Sequence, residues 1–317
     1  MIAAVLTVTL NPAIDLTVTV DRLEVGAVHR ARSAQSNVGG KGINVAGCLA
    51  DWGVAVAAGG LLGRFNDDAF VEFFAAKGIV DLCVRAPGDT RTNIKIADLA
   101  GGSTTDLNLP GLAVDPGRIE AVRAAAVKEI GRGTPVVLAG SLPEGAPADT
   151  WAKMVAALAA EGARIVLDTS GAPLAAALDM NAACRPYAIK PNRSELEALL
   201  GRDLASEADL VAAARALIAR GLRLVVVSLG AEGAVFVTPE TALAARLPAK
   251  TVLSTVGAGD AMVAGIVAAL VEDATPERLA RLATAFAAAK LDRIGPYLGP
   301  KTTVEDLVAR VEIRRID

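Results

Sequence analysis

Three observations predict an α/β protein whose mostly parallel sheet is covered by helices on both faces, with a small separate β-layer. Short β-branched runs alternate with amphipathic stretches along most of the 317-residue chain. Two segments break that alternation and pass from strand to strand with no helix between them. The composition is 53% hydrophobic but only 3% aromatic, so Ala, Val, Leu and Ile must fill the core, as suits helices packed on a parallel sheet.

The runs "AAVLTVTL", "TNIKIADL", "TPVVLAG", "ARIVLDTS", "PYAIKPN" and "LRLVVVSLG" read as strands. "DTWAKMVAALAAEG" and "EADLVAAARALIARG" carry apolar residues at three- and four-residue spacing and stop at a glycine, as capped amphipathic helices do. Parallel neighbours need such crossovers, so the alternation implies βαβ units. The two exceptions, residues 15–36 and 90–109, read as alternating strands with a Gly-rich turn. They are expected to form one discontinuous lid on a single domain spanning residues 1–317. The sequence carries no internal repeat, low-complexity tract or linker-like segment.

Composition also excludes functions. The formal net charge is −3 and the pI about 5.4, no Lys or Arg block tracks a phosphate backbone, and aromatic platforms are scarce, which argues against nucleic acid. Cys48, Cys83 and Cys184 lack paired spacing and His29 is the only histidine, so neither a disulfide framework nor a soft-ligand metal site is supported. "MIAAVLTVTLNPAID" has no basic leader and reads as a strand, and no apolar run approaches the ~20 residues of a membrane span. A soluble cytoplasmic protein with no membrane partner is expected.

In open parallel sheets ligands gather where strand ends lead into helix N-termini. "STVGAGDAMVAGIVAAL" supplies Gly257, Ala258 and Gly259 directly before a helix with Met262, Ile266 and Leu270 at helical spacing. Closely approaching amides and roughly half a positive charge at a helix end make an anion site. Asp260 would repel a bound phosphate there unless it acted on a hydroxyl between them, as a general base in phosphoryl transfer. A helix-dipole carboxylate or N-cap explains the same spacing. Neither GxxxxGK[ST] nor a complete GxGxxG is present, since Met262 replaces the third glycine.

In "SNVGGKGINVAGCLADWG", Gly39, Gly40 and Gly42 surround Lys41, and a helix opens near Asn44. These groups suit a sugar's hydroxyls or phosphate, or a plain structural turn. Asp15, just after the first strand, either clamps paired hydroxyls or closes an Asx turn. Arg91 in "TRTNIKI" suits a bidentate grip on phosphate, or is an exposed lid charge. In "AGSLPEG", Gly140 and Ser141 end a strand and suit a close substrate approach or a plain Pro-containing turn. In "KPNRSELEALLG", Lys190, Asn192 and Glu195 fall beside a ligand site, yet Asn192 to Glu195 has capping-box spacing. Asn192 and Glu195 also suit a hydrated Mg²⁺, which needs few protein ligands. Ser228, Gly230 and Gly233 mark a nucleotide-binding turn or an ordinary hairpin.

The order of "TLNPAID", "GGKGINVA", "TRTNIKI", "GSLPEG", "KPNRSELE", "VSLGAEGA" and "STVGAGDAMVAG" resembles the ribokinase-like, pfkB-type sugar kinases, within them the branch of 1-phosphofructokinases and tagatose-6-phosphate kinases. The resemblance covers about residues 5–290. It implies a three-layer α/β/α domain, a β-lid that covers the sugar and often forms a dimer contact, and the use of ATP and Mg²⁺. By this resemblance Asp260 matches the catalytic base and Gly257 to Gly259 the anion hole. Asp15, Gly39, Gly40, Lys41, Asn44, Arg91 and Ser141 match sugar-phosphate positions. Lys190, Asn192, Glu195, Ser228, Gly230 and Gly233 match the nucleotide and magnesium side. The tail "AKLDRIGPYLGP" departs from the pattern expected beside the adenine. The expected reaction is transfer from ATP to fructose 1-phosphate, giving fructose 1,6-bisphosphate. Tagatose 6-phosphate and fructose 6-phosphate are the alternative acceptors. A non-catalytic sugar-phosphate sensor is the alternative of another class, and a nicotinamide oxidoreductase fails on the missing fingerprint.

Overall fold

The computed structural model describes residues 3–248, 256–293 and 295–316. Ser254 and Thr255, which lead the glycine stretch, and Ile294 in the divergent tail lie outside the described residues. Along the chain run β1 (Val5–Thr9), β2 (Ala13–Val20), β3 (Ser33–Gly39), α1 (Lys41–Trp52), β4 (Val56–Gly63), α2 (Asp68–Lys77), β5 (Val80–Ala86), β6 (Thr92–Asp98) and β7 (Ser103–Asn108). There follow α3 (Pro116–Glu129), β8 (Pro135–Ala139), α4 (Thr150–Ala160), β9 (Arg164–Asp168), α5 (Gly171–Leu178), β10 (Ala188–Ile189), α6 (Arg193–Leu200) and α7 (Glu207–Ala219). The chain continues through β11 (Leu224–Ser228), β12 (Ala234–Val237), β13 (Ala242–Arg246), α8 (Ala258–Val271), α9 (Pro276–Lys290), α10 (Lys301–Arg310) and β14 (Glu312–Ile316).

A ten-stranded sheet has the order β14-β13-β12-β11-β10-β9-β8-β1-β4-β5. It is parallel from β11 to β5, and β12 to β14 add antiparallel strands at one edge. Alternation along each strand feeds two cores. Val5, Val137 and Val166 face α1, α8 and α9, while Leu6, Leu138 and Leu167 face α4, α5 and α7. The mostly parallel sheet between two helical layers is the predicted ribokinase-like arrangement.

Several strands exceed the sequence expectation. β4 reads VAAGGLLG, whose small residues hide its strand character although it is buried throughout. β14 reads EIRRI and is largely polar, as an edge strand should be. "TNIKIADL" is a strand, but of a separate four-stranded sheet with the order β3-β2-β6-β7. In that sheet β2 runs parallel to β6 and antiparallel to β3, so segments far apart in sequence share one layer. The helix after the first glycine cluster opens at Lys41, with Gly40 as its N-cap, three residues earlier than the Asn44 start read from sequence.

The direction in which successive strands are added to the large sheet reverses at β1. From it β4 and β5 extend one way, and β8 to β11 the other. The loops leaving β1 and β8 therefore diverge over a crevice at the carboxyl ends of the strands.

Candidate active site

Asn11, just after β1, donates from Nδ2 to Ser141 Oγ at 3.1 Å across that crevice. The cleft above it has a volume of about 460 Å³ and collects Asp15, Gly40, Lys41, Asn44, Arg91, Ser141, Glu195 and Asp260 from the sequence-derived set. Asn192, Ser228 and Gly230 instead line a second, shallower pocket of about 390 Å³ beyond β11. Lys190, Gly39, Gly233 and Gly257 to Gly259 line neither cavity.

The floor of the cleft is built from strand ends and helix starts. α8 begins at Ala258 with Gly257 as N-cap at φ 80°, ψ 0°, a left-handed conformation that favours glycine. Asp260 sits in the first turn and is 7% exposed. Its Oδ2 accepts from Asn44 Nδ2 at 2.7 Å. Lys41 and Asn44, three residues apart, share one face of the first turn of α1. Burial pushes the Asp260 carboxyl above the ordinary carboxylate range; Lys41 opposes that shift and Asp168 adds to it.

Asp168, the last residue of β9, is 3% exposed and binds two ammonium groups. Lys41 Nζ lies 2.9 Å from Oδ2, and Lys190 Nζ lies 3.4 Å from Oδ1. Burial by itself would raise the Asp168 carboxyl, but Lys190 and Lys41 together hold it below the usual range. Burial likewise pulls the Lys41 ammonium down, and Asp168 and Asp260 more than reverse that. The floor thus holds two cations and two carboxylic groups in one network.

The roof is the small sheet. Asp15 lies inside β2, directly opposite Asn93 of β6, so it closes no Asx turn. Its carboxylate accepts from Asn93 Nδ2 at 3.1 Å and pairs with Lys95 Nζ at 3.1 Å. Gly39, opposite Ala13 in β3, leaves room for that carboxylate, since a Cβ there would stand 2.7 Å from Asp15 Oδ2. Arg91 immediately precedes β6 and is half-buried; its guanidinium reaches the carbonyls of Pro12, Asn11 and Leu109 at 3.3–3.4 Å. Burial lowers its affinity for its proton, while Asp15 counteracts. Asn93 Oδ1 is buried with no hydrogen-bond partner among the described residues. A donor hydroxyl entering the cleft would satisfy it.

On the far side the bland readings of two motifs are realised. Asn192 and Glu195 form a reciprocal capping box at the start of α6, with both bonds at 2.8 Å. β11 and β12 form an antiparallel hairpin through the turn that holds Gly230 and Gly233. Glu195 nevertheless also faces the cleft. No group of three or more His, Cys, Asp or Glu side chains suited to a metal gathers among the described residues. Of the sequence-derived metal pair, Glu195 is the one whose side chain faces the cleft, and a cation such as Mg²⁺, which keeps several waters, needs few such ligands.

Sequence reasoning missed Asn11, Asn93, Lys95, Asp168 and Thr169, all at the cleft or in its floor network. Three of them had a signal. Arg91, Asn93 and Lys95 alternate, so a strand would turn all three to one face. Asp168 ends the apolar run "RIVLD", where a carboxylate next to the crevice needs a partner.

Residues 8–303 match the model of the pfkB family carbohydrate kinases. A 1-phosphofructokinase from Xanthomonas campestris is 55% identical over 90% of this chain and 91% of its own length. One from Rhodobacter capsulatus is 45% identical over 100% of this chain and 99% of its own. Among solved structures, phosphofructokinase-2 from Escherichia coli in complex with substrates and products superimposes with a TM-score of 0.89 at 30% identity, covering 96% of this chain and 98% of that one. The chain therefore belongs to the pfkB family of carbohydrate kinases and is an ATP-dependent phosphotransferase that acts on a sugar hydroxyl.

Proposed function

We propose that this kinase phosphorylates the C6 hydroxyl of fructose 1-phosphate, giving fructose 1,6-bisphosphate and ADP. The observation that carries the reading is the opposition across one cleft of buried Asp260 below and the cationic Arg91 and Lys95 above. A sugar phosphate is bipolar in the same sense, with an anionic end for the roof and a reacting hydroxyl for the floor. The names of the relatives at 55% and 45% identity support the same acceptor.

In this reading Arg91 and Lys95 grip the sugar's phosphate from the roof, Lys41 reaches the bound sugar phosphate from the floor, and Asp15, Asn93 and Ser141 orient its hydroxyls. Asp260, held by Asn44, accepts the C6 proton as that oxygen attacks phosphorus. The amides of Gly257 to Gly259 and the neighbouring ammonium groups neutralise charge on the migrating phosphoryl group, where positioning and electrostatics supply most of the catalysis. The nucleotide lies towards Lys190, Asn192, Ser228, Gly230 and Gly233. Mg²⁺, reached by Asn192 and Glu195 through water, would neutralise phosphate charge when bound. The chain acts as one domain of residues 1–317 whose lid, residues 15–36 and 90–109, excludes water on closing.

The lid sheet and its loops leave Val25, Val28, Leu99 and Leu107 exposed, which supports a homodimer formed through the lid. Sedimentation of wild type beside Val28→Lys tests this: a dimer weakened by the charge is expected, and a monomer in both contradicts it.

The acceptor is tested by kcat/KM for fructose 1-phosphate, fructose 6-phosphate and tagatose 6-phosphate side by side in an ADP-release assay. The first is expected to exceed the others by about tenfold or more, since a misplaced phosphate loses its charged contacts. A preference for either 6-phosphate overturns the assignment, and no ADP with any of them supports a sensor.

A further inference from the structure

Lys290 plays no part in the mechanism above. It is the last residue of α9, yet it is only 3% exposed. Among the described residues its Nζ has one hydrogen-bond partner, the Arg293 carbonyl at 2.7 Å, and no carboxylate within ion-pair distance. A buried ammonium neutralised so incompletely is costly and calls for a nearby source of negative potential. Its side chain runs against the turn that opens α8: a Cβ on Gly257 would lie 3.1 Å from Lys290 Cε and 3.8 Å from Nζ. One residue pair further on, a Cβ on Gly259 would lie 3.4 Å from Lys190 Nζ. Two buried lysines, carried by α9 and by the loop after β10, thus flank the glycine turn on which the proposed phosphoryl site depends.

We propose that Lys290 is a positioning residue for phosphoryl transfer. Its tethered ammonium props the Gly257 turn and sets a fixed positive charge beside the amides that receive the migrating phosphoryl group. The inference rests on the reading of the α8 head as that site, and is independent of which sugar phosphate is the acceptor. Burial weakens the hold of the Lys290 ammonium on its proton, while Cys48, Asp260 and Asp292 oppose that. The group is thereby coupled electrostatically to the acidic centre of the cleft. A cation at this position also complements the dipole of its own helix, but that role needs no contact with α8 and would not touch turnover.

The test uses the full-length enzyme with Lys290→Met, which keeps the apolar stem and removes the charge, and Lys290→Ala, which leaves a hole. Both are expected to fold, to lower kcat by about tenfold or more, and to leave KM for the sugar phosphate within about twofold. Methylammonium should restore the Ala variant saturably, and should help neither the Met variant, whose side chain fills the space, nor Asp260→Asn. A Met variant turning over within about twofold of wild type overturns the proposal, because charge would then be dispensable. So does failure of the Met variant to fold, or loss in the Ala variant that methylammonium leaves unchanged, since each assigns Lys290 to packing. Asp260→Asn separates the two readings: if it keeps full turnover the phosphoryl site itself is misplaced, and if it is inactive while Lys290→Met is active only the role of Lys290 fails.

Discussion

The floor and the roof of the cleft carry similar charges in different surroundings. On the floor, Asp168 and Lys190 are 3% and 6% exposed in their side chains and Asp260 is as deeply set, while Lys41, 42% exposed, reaches from Asp168 up into the cleft. On the roof, Asp15 and Lys95 are 21% and 14% exposed, and Arg91 rests on three long carbonyl contacts. Water reaches the Asp15–Lys95 pair more readily than the Asp168–Lys190 pair and weakens it more, whereas breaking a fully buried pair costs about 3–5 kcal/mol. The contrast matches a division of labour. Groups that must hold one geometry while charge moves belong in the rigid floor, and groups that must admit, grip and release a ligand belong in a thinner sheet.

The largest expected effect is on the floor. Asp260→Asn should lower kcat by about 10² or more while ATP affinity stays within a few-fold, as steady-state kinetics and calorimetric titration would measure. Asp168→Ala should act on both fold and rate, because it strands Lys41 and Lys190; a thermal melt about 6 °C or more below wild type and kcat down about tenfold are expected. On the roof, Arg91→Ala should raise KM for the sugar phosphate by about tenfold with kcat within about threefold. An unchanged KM would move the phosphate elsewhere.

The smallest effect is on stability. Burial raises the Asp260 carboxyl, so the folded state keeps that proton to higher pH than the unfolded chain does. Its contribution is then present at low pH and is lost as pH rises past the ordinary carboxylate range. At neutral pH Asp260→Asn should therefore melt at the same temperature as wild type or up to about 3 °C above it, and a lower melting point would make the carboxylate structural.

The alternation of strand and helix made the layered fold legible, because parallel strands buried on both faces must be apolar runs joined by crossovers. The second sheet was legible as helix-free sequence, although its pairing of β2 with β6 joins residues 78 apart, as for Asn93 and Asp15. Such a pairing has no local signature. Glycines, Lys41, Asn44 and Asp260 stood out because small and charged residues interrupt apolar stretches. Asp168 was less conspicuous, since the carboxylate that ends its apolar run shows the need for a partner but not which one, until topology brings Lys41, 127 positions away, onto it. Lys290 was hidden for the same reason, as a lysine closing a helix looks like a dipole cap.

The most direct test of the central claim, that the carboxyl group at the head of α8 takes the acceptor's proton, is the dependence of kcat on pH for wild type and Asp260→Asn. Wild type should lose activity on the acid side, with an apparent pKa above the ordinary carboxylate range, and the residual activity of the Asn variant should lack that acid limb. A flat wild-type profile, or the same limb surviving in Asp260→Asn, would contradict the account.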